Sequence, residues 1–121
     1  MITLALANRL LDSVLRNGRS VYVSLHMNEP GEDGSSEVFG EGYARQAVAF
    51  EQARDRVSLN DGQTEFTELP DVSVSHIGLW DASRGGVFLW GSDRMDPAVG
   101  VPRGGILRIE PGNLAIKMLI K

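Results

Sequence analysis

The residues that most often carry enzyme chemistry are scarce in this sequence of 121 residues. It contains two histidines, His26 and His76, and no cysteine, which excludes thiolate metal sites, cysteine nucleophiles and disulfide bonds. The histidines do not form a pair at metal-binding spacing. Each lies inside a predicted strand, so we interpret both as hydrogen-bonded structural residues. His26 falls on the polar face of its strand, which predicts that it faces solvent or a subunit.

Carboxylates could hydrolyse glycosides in pairs or bind calcium in clusters. The acidic residues here lie mainly in loops, and no spacing ties two of them to one cleft. The stretch from Glu32 to Gly34 is the nearest approach to a calcium loop, but the alternating acidic spacing of such loops is missing. No nucleophile elbow or phosphate loop occurs either. The sequence therefore predicts no catalytic residue, no metal site and no cofactor, and we expect that the chain is not an enzyme.

The segment that contains Gly40, Gly42, Tyr43 and Arg45 indicates binding rather than catalysis. Tyr43 and Arg45 are two residues apart, so their side chains point the same way if the chain is extended there. Tyrosine and arginine are enriched at the centres of protein interfaces. We predict that Tyr43, Arg45 and the adjacent Gln46 contact another protein. The alternative is intramolecular: the tyrosine packs on the edge of the core and the arginine pairs with an acid of the same chain.

Trp80 and Trp90 flank a predicted hairpin. If the two rings are exposed, they could stack on a sugar, which would make the chain a carbohydrate-binding module. The chain has only two Trp, two Tyr and four Phe residues, and its core needs most of them. Burial of both tryptophans is therefore favoured, and ligand stacking by Trp80 or Trp90 stays the alternative.

The elements that must position these residues begin with a helix predicted over residues 3–17. Leu4, Leu11 and Leu15 recur there at helical spacing, Thr3 is a candidate N-cap, and Gly18 can end the helix in the left-handed conformation. One face of this helix is a further candidate contact surface.

Beyond Gly18 the sequence alternates with a period of two, which predicts short strands. Asn60, Asp61 and Gly62 predict a hairpin turn, and a strand over 72–80 changes phase midway. The last predicted strand runs over 114–120. In total, about seven to eight short strands with one N-terminal helix predict an all-β fold, an antiparallel β-sandwich or a jelly-roll-like fold. We expect one domain over 1–121, with a long polar loop over 28–39.

Composition excludes several classes of function. The net charge of −4 opposes nucleic-acid binding, which normally needs a basic excess. No apolar stretch approaches the length of a membrane span, and the first residues lack the basic region of a signal peptide. We therefore expect neither nucleic acid nor membrane among the partners.

Several segments of the sequence resemble a family of small virion proteins of tailed phages, which are often labelled tail fibre proteins. The resemblance extends to about residue 91, and its most specific parts are the Gly-Tyr-Ala-Arg-Gln segment and the downstream Trp-Asp-Ala hairpin. The segments that carry it are Asn8 to Arg16, Val21 to His26, Glu29 to Gly31, Gly42 to Phe50 and His76 to Gly86.

This resemblance implies a structural component of a virion that is made in the host cytoplasm. Its expected partners are further copies in a symmetric oligomer and other virion proteins, such as the major capsid or tail proteins. The length slightly favours capsid decoration, because 121 residues are too few to build both the shaft and the tip of a fibre. A tail-associated subunit also fits this size, and a carbohydrate- or receptor-binding module at the tail is the alternative function.

Overall fold

The computed structural model describes residues 1–118. Its one helix in this range, α1, spans Leu4–Leu15, and the Thr3 hydroxyl caps it by accepting a hydrogen bond from the Leu6 N–H at 3.2 Å. Gly18 adopts a φ of 85°, which lets the chain turn from the helix into the first strand. The predicted helix and its N-cap are thus confirmed.

The described part of the chain also contains ten short strands. They are β1 (Val21–His26), β2 (Gln46–Phe50), β3 (Val57–Asp61), β4 (Thr64–Leu69), β5 (Val72–Val74), β6 (His76–Trp80), β7 (Phe88–Gly91), β8 (Val99–Val101), β9 (Gly105–Ile109) and β10 (Ala115–Lys117). The predicted all-β class is confirmed, with more and shorter strands than the seven to eight expected. Residues 119–120, at the end of the last predicted strand, lie outside the described residues.

Six strands form one antiparallel sheet in the order β10-β3-β2-β1-β6-β7, and β4 pairs with β9 and β5 with β8 in two further ribbons. In β1, Val23 and Leu25 point to one face of the large sheet and Ser24 and His26 to the other. The apolar face packs on the ribbons, which gives a sandwich-like core. Central members of this core are Leu11, Leu15, Val23, Leu25, Phe50, Phe66, Leu79 and Leu107.

A polar stripe attaches α1 to the loop between β2 and β3. Asn8 and Asp12 each accept a backbone N–H of that loop through a side-chain oxygen, at 2.9 and 2.8 Å. Arg16 donates to the Phe50 carbonyl at 2.8 Å. These three side chains lie at four-residue intervals on one side of the helix, so the helix satisfies two backbone amides of the loop and the carbonyl at the end of β2.

Another side of the helix leaves Leu6, Leu10 and Val14 exposed at the same four-residue spacing. This apolar face has no partner within the described residues. It corresponds to the helix face predicted as a contact surface. No helix in the described range is long and apolar enough to cross a membrane.

The prediction of a hairpin at Asn60-Asp61-Gly62 is wrong, because the chain passes there from one layer of the fold to the other. β3 belongs to the six-stranded sheet, whereas β4 pairs with β9. The buried Asn60 amide holds this corner: its oxygen accepts the Leu114 N–H at 2.8 Å, and its nitrogen donates to the Glu110 carbonyl at 3.0 Å. The turn therefore joins two layers instead of two neighbouring strands.

The phase change predicted within 72–80 is a change of sheet. β5 ends at Val74 and pairs with β8, and β6 begins at His76 and pairs with β1 and β7. Ser75 lies between them. The hairpin of β6 and β7, which carries Trp80 and Trp90, is present as predicted.

Candidate interaction site around Arg45

Gly42 brings the chain into position for the site. Its φ is 90°, and a Cβ atom at this position would collide with the carbonyl oxygen of Glu68. Only glycine combines this conformation with such a close approach to another backbone. Tyr43 and Arg45 lie just ahead of β2, and both donate hydrogen bonds to the same carboxylate, that of Glu37.

Arg45 connects three segments of the chain. Its guanidinium binds the Glu37 carboxylate in a bidentate pair, with Nε to Oε2 at 2.9 Å and Nη2 to Oε1 at 3.0 Å. Nη1 donates to the carbonyl oxygens of Ala82 and Gly85, at 3.0 and 2.8 Å. The arginine side chain is only 9% exposed, so most of its hydrogen-bonding capacity is used within the chain. Arg45 thereby fixes the β6–β7 turn against the 28–39 loop.

Tyr43 completes the pairing of the Glu37 carboxylate. Its hydroxyl donates to Oε2 at 2.6 Å and accepts the Leu25 N–H at 3.1 Å. Burial, together with the hydrogen bond to Glu37, raises the pKa of Tyr43 above its ordinary value, so the phenol stays protonated and remains a donor. Its ring stacks on Phe66 with the planes 1° apart, which anchors the cluster to the core.

Trp80 lies beneath the arginine. The Arg45 Cζ atom is 3.7 Å from the centre of the indole ring, a cation–π contact. Phe88 packs edge-on against the same ring at 5.1 Å, and Gly34 of the loop lies so close that a Cβ there would collide with it. Trp80 is 8% exposed. We call Glu37, Tyr43, Arg45 and Trp80 the Arg45 cluster.

A buried hydrogen-bond chain continues from Trp80 into the sheet. The indole N–H donates to the Ser24 hydroxyl at 3.0 Å, which lies 2.6 Å from His26 Nε2. His26 Nδ1 is 2.8 Å from the Ser35 carbonyl, which can only accept, so Nδ1 carries the proton and Nε2 accepts from Ser24. Burial lowers the pKa of His26 below its ordinary value, which favours this neutral form.

The prediction that His26 is a hydrogen-bonded structural residue is confirmed, but its predicted exposure is wrong. The side chain is fully buried, because the 28–39 loop folds over the polar face of the sheet. Val38 N–H donates to the Leu25 carbonyl, and Met27 N–H to the Ser36 carbonyl, at 2.8 and 2.9 Å. The loop is thus held by the chain's own backbone.

A shallow groove of about 370 Å³ opens above the Arg45 cluster. We call it the Phe39 groove; its side-chain lining includes Phe39, Tyr43, Arg45, Ser83 and Arg84. Phe39 is 79% exposed, and Arg84 lies at the turn that Arg45 holds in place. A planar cation and an exposed aromatic ring therefore border a groove whose floor is rigid.

The structure brings some predicted site residues together and separates others. Tyr43 and Arg45 share the cluster with Trp80, and Gln46 begins β2 beside them, where its amide donates to the Ala44 carbonyl at 3.0 Å. Their contacts match the intramolecular alternative, and contact with another protein stays a prediction. Trp90 is half-buried against the core and lines a different groove. Ligand stacking by either tryptophan also stays a prediction.

Sequence reasoning missed Glu37, Phe39 and Arg84. Glu37 is one of several acids in a polar loop and carries no local signal that separates it from the solvated ones. Phe39 has one: it is a large aromatic residue at the end of a segment rich in glycine, serine and acids. In the described part of the chain, no three or more acidic or histidine side chains come together as ligands of a metal ion.

Comparison with known sequences places the chain in a phage context. No curated protein sequence matches it. A family described as podophage GP4 fiber I protein gp80 matches residues 1–117, which is nearly the whole length. The chain therefore belongs to the gp80 family of podophage fibre proteins.

Proposed function

We propose that this protein is a non-enzymatic structural subunit of a podophage tail fibre apparatus that acts through contacts with other virion proteins and with further copies of itself. The observation that carries the proposal is the match to a fibre protein family over residues 1–117. The rigid, internally paired Arg45 cluster suits a part that must keep its shape within an assembly.

The Phe39 groove is the contact surface that we propose for a neighbouring virion protein. Arginine and large aromatic side chains dominate the binding energy of protein interfaces, and Phe39 and Arg84 supply one of each. Tyr43 and Arg45 lie beneath them and hold the β6–β7 turn and the 28–39 loop in place. Gln46 lies at the edge of the same surface. In this proposal the predicted interface residues act from the floor of the groove, and the exposed contacts are made by Phe39 and Arg84.

Self-association would use the exposed face of α1. Leu6, Leu10 and Val14 form an uncharged apolar stripe, so two copies could pack there without placing like charges together. Light scattering of the purified protein tests this part: we expect a discrete oligomer that Leu10→Glu converts to a monomer, and a monomer in both proteins would contradict it.

Capsid decoration is the other placement, and the family description favours the tail instead. Co-sedimentation of a tagged form of the protein with isolated tails and with isolated capsids distinguishes the two placements. We expect co-sedimentation with tails, and binding to capsids alone would overturn the fibre assignment.

A receptor- or carbohydrate-binding role is the second candidate, and the exposure of Phe39 is the observation that favours it. Phe39→Ser separates the two functions. If the groove binds a virion protein, Phe39→Ser abolishes co-sedimentation with tails. If it binds a receptor, the variant assembles normally and the tails no longer adsorb to host cells.

A further inference from the structure

The two edge strands of the six-stranded sheet border one groove. Sheet order places β7 and β10 at opposite ends. However, Trp90 and Gly91 of β7 and Ala115 and Lys117 of β10 line the same depression of about 490 Å³, which we call the edge groove. The sheet is thus curled until its edges approach each other, yet within residues 1–118 β7 pairs only with β6 and β10 only with β3.

The backbone of β10 offers hydrogen-bonding groups to this groove. The Leu114 carbonyl and the Met118 N–H both bond to β3 or the residue before it, at 3.0 and 2.9 Å. Alternate residues of a strand direct their backbone groups to opposite sides, so Ala115 and Lys117 direct theirs away from β3. These two residues line the edge groove.

The β7 wall has the same property. The Ser92 N–H donates to the Ile77 carbonyl of β6 at 2.8 Å. By the same alternation, the backbone groups of Gly91 turn away from β6 and towards the groove. β7 itself contains neither a charged residue nor a proline, the two side-chain types that most often protect a free sheet edge.

The floor of the edge groove is apolar. Ile77, Met95 and Leu114 line it, and the same three side chains line an adjoining depression of about 360 Å³ that continues to Val101 and Ile109. The walls of the edge groove can therefore hydrogen-bond to the backbone of an added segment, and its floor can contact apolar side chains of that segment.

We propose that the edge groove receives an extended segment of another fibre protein, which adds a strand between β7 and β10. Backbone groups on both walls select an extended chain, and the floor selects apolar side chains at every second position. Lys117 on one wall and Asp93 on the other favour an acidic residue on the β10 side of that segment and a basic residue on the β7 side. This inference rests on the proposed function, because the partner belongs to the same assembly.

Amide hydrogen exchange tests the proposal when the purified protein is compared with the same protein in intact phage particles. We expect the amides of Gly91, Ala115 and Lys117 to exchange at least about tenfold more slowly in the particle. If the protein is present in the particles and these amides exchange equally fast in both, the inference is wrong and the proposed function stands. Absence of the protein from particles overturns both.

A second copy is the other possible source of the strand. If the same amides are protected from exchange in the purified protein, and the protection increases with protein concentration, the strand comes from a second copy. That result would overturn the assignment to another protein.

Lys117→Pro and Lys117→Ala form a matched pair of variants. Proline removes the outward N–H while leaving the bonds between β10 and β3 in place, and alanine removes only the side chain. We expect recruitment into particles to fall at least about tenfold for proline and much less for alanine. Equal recruitment of both variants would contradict strand addition.

Discussion

The turn of the β6–β7 hairpin and the free edge of β7 differ in how far their polar groups are hydrogen-bonded within the chain. At the turn, Arg45 takes up the carbonyl groups of Ala82 and Gly85, and Glu37 pairs with both Arg45 and Tyr43. At the free edge of β7, the backbone groups bordering the edge groove meet no strand within residues 1–118. The hydrogen-bonding groups of the first region are therefore paired within the fold, whereas backbone groups of the second are free to pair with another chain. Substitutions should accordingly destabilise the first region and affect only assembly at the second.

The largest effect is expected from Arg45→Ala. This change leaves the Glu37 carboxylate without its main partner and two carbonyl groups without donors, and breaking such a buried pair costs about 3 kcal/mol of the free energy of unfolding. Urea denaturation measures the loss. Arg84→Ala is the matched control, and we expect it to change stability by less than about 0.5 kcal/mol. Equal effects of the two substitutions would show that the contacts of Arg45 within the cluster do not cause the loss of stability.

Gly42→Ala should be the next most damaging change. The new methyl group would collide with the Glu68 carbonyl in addition to the strain of a positive φ, so we expect a loss of about 2–3 kcal/mol. Gly62→Ala is the control, because Gly62 has a φ of 88° and open space around its Cβ position. The control should lose about 1 kcal/mol from φ strain alone. Thermal denaturation of both variants separates collision from strain, and equal losses would refute the close approach.

Acidification should destabilise the region around the Arg45 cluster, because His26 is hydrogen-bonded to it through Ser24 and Trp80. The pKa of His26 in the folded protein lies below its ordinary value of 6.5, so the unfolded chain binds the proton more readily. Stability is therefore full above pH 6.5 and falls as the pH drops towards the folded-state pKa. The charged groups nearest His26 are Glu37 and Arg45, and His76 faces it across the strand pair.

Urea titrations at pH 7.5 and 5.5 measure this dependence. His26→Asn, which cannot titrate, should show a smaller loss between the two pH values. An imidazole pKa above 6.5 for His26 by NMR would contradict the buried neutral form.

The smallest effect on stability is expected at the edge groove. Lys117→Ala removes an exposed side chain that makes no ion pair within the described residues, so stability should change by less than about 0.5 kcal/mol. A loss as large as that of Arg45→Ala would show that the edge is already part of the folded core.

How far the sequence predicts this molecule depends on the range of the contacts involved. Local patterns correctly predict α1 with its Thr3 cap, the alternation of β1 and the β6–β7 hairpin, because each depends on neighbours within a few residues. The layer change after Asn60 was not predictable, since it is set by Glu110 and Leu114, about fifty residues further along.

The same reasoning applies to the site. The spacing of Tyr43 and Arg45 predicts that they act together, but the choice of Glu37 as their common partner depends on how the 28–39 loop folds back. Burial of His26 depends on that loop as well, so the alternating pattern of β1 alone predicts an exposed side chain where the structure has a buried one.

We propose that this protein is a fibre subunit that is rigid at the Arg45 cluster and open to a partner at the edge groove. Cryo-electron microscopy of the intact virion tests it most directly. We expect this fold in the tail fibre, with an additional strand between β7 and β10. The same fold on the capsid lattice, or in the fibre with an empty edge groove, would contradict it.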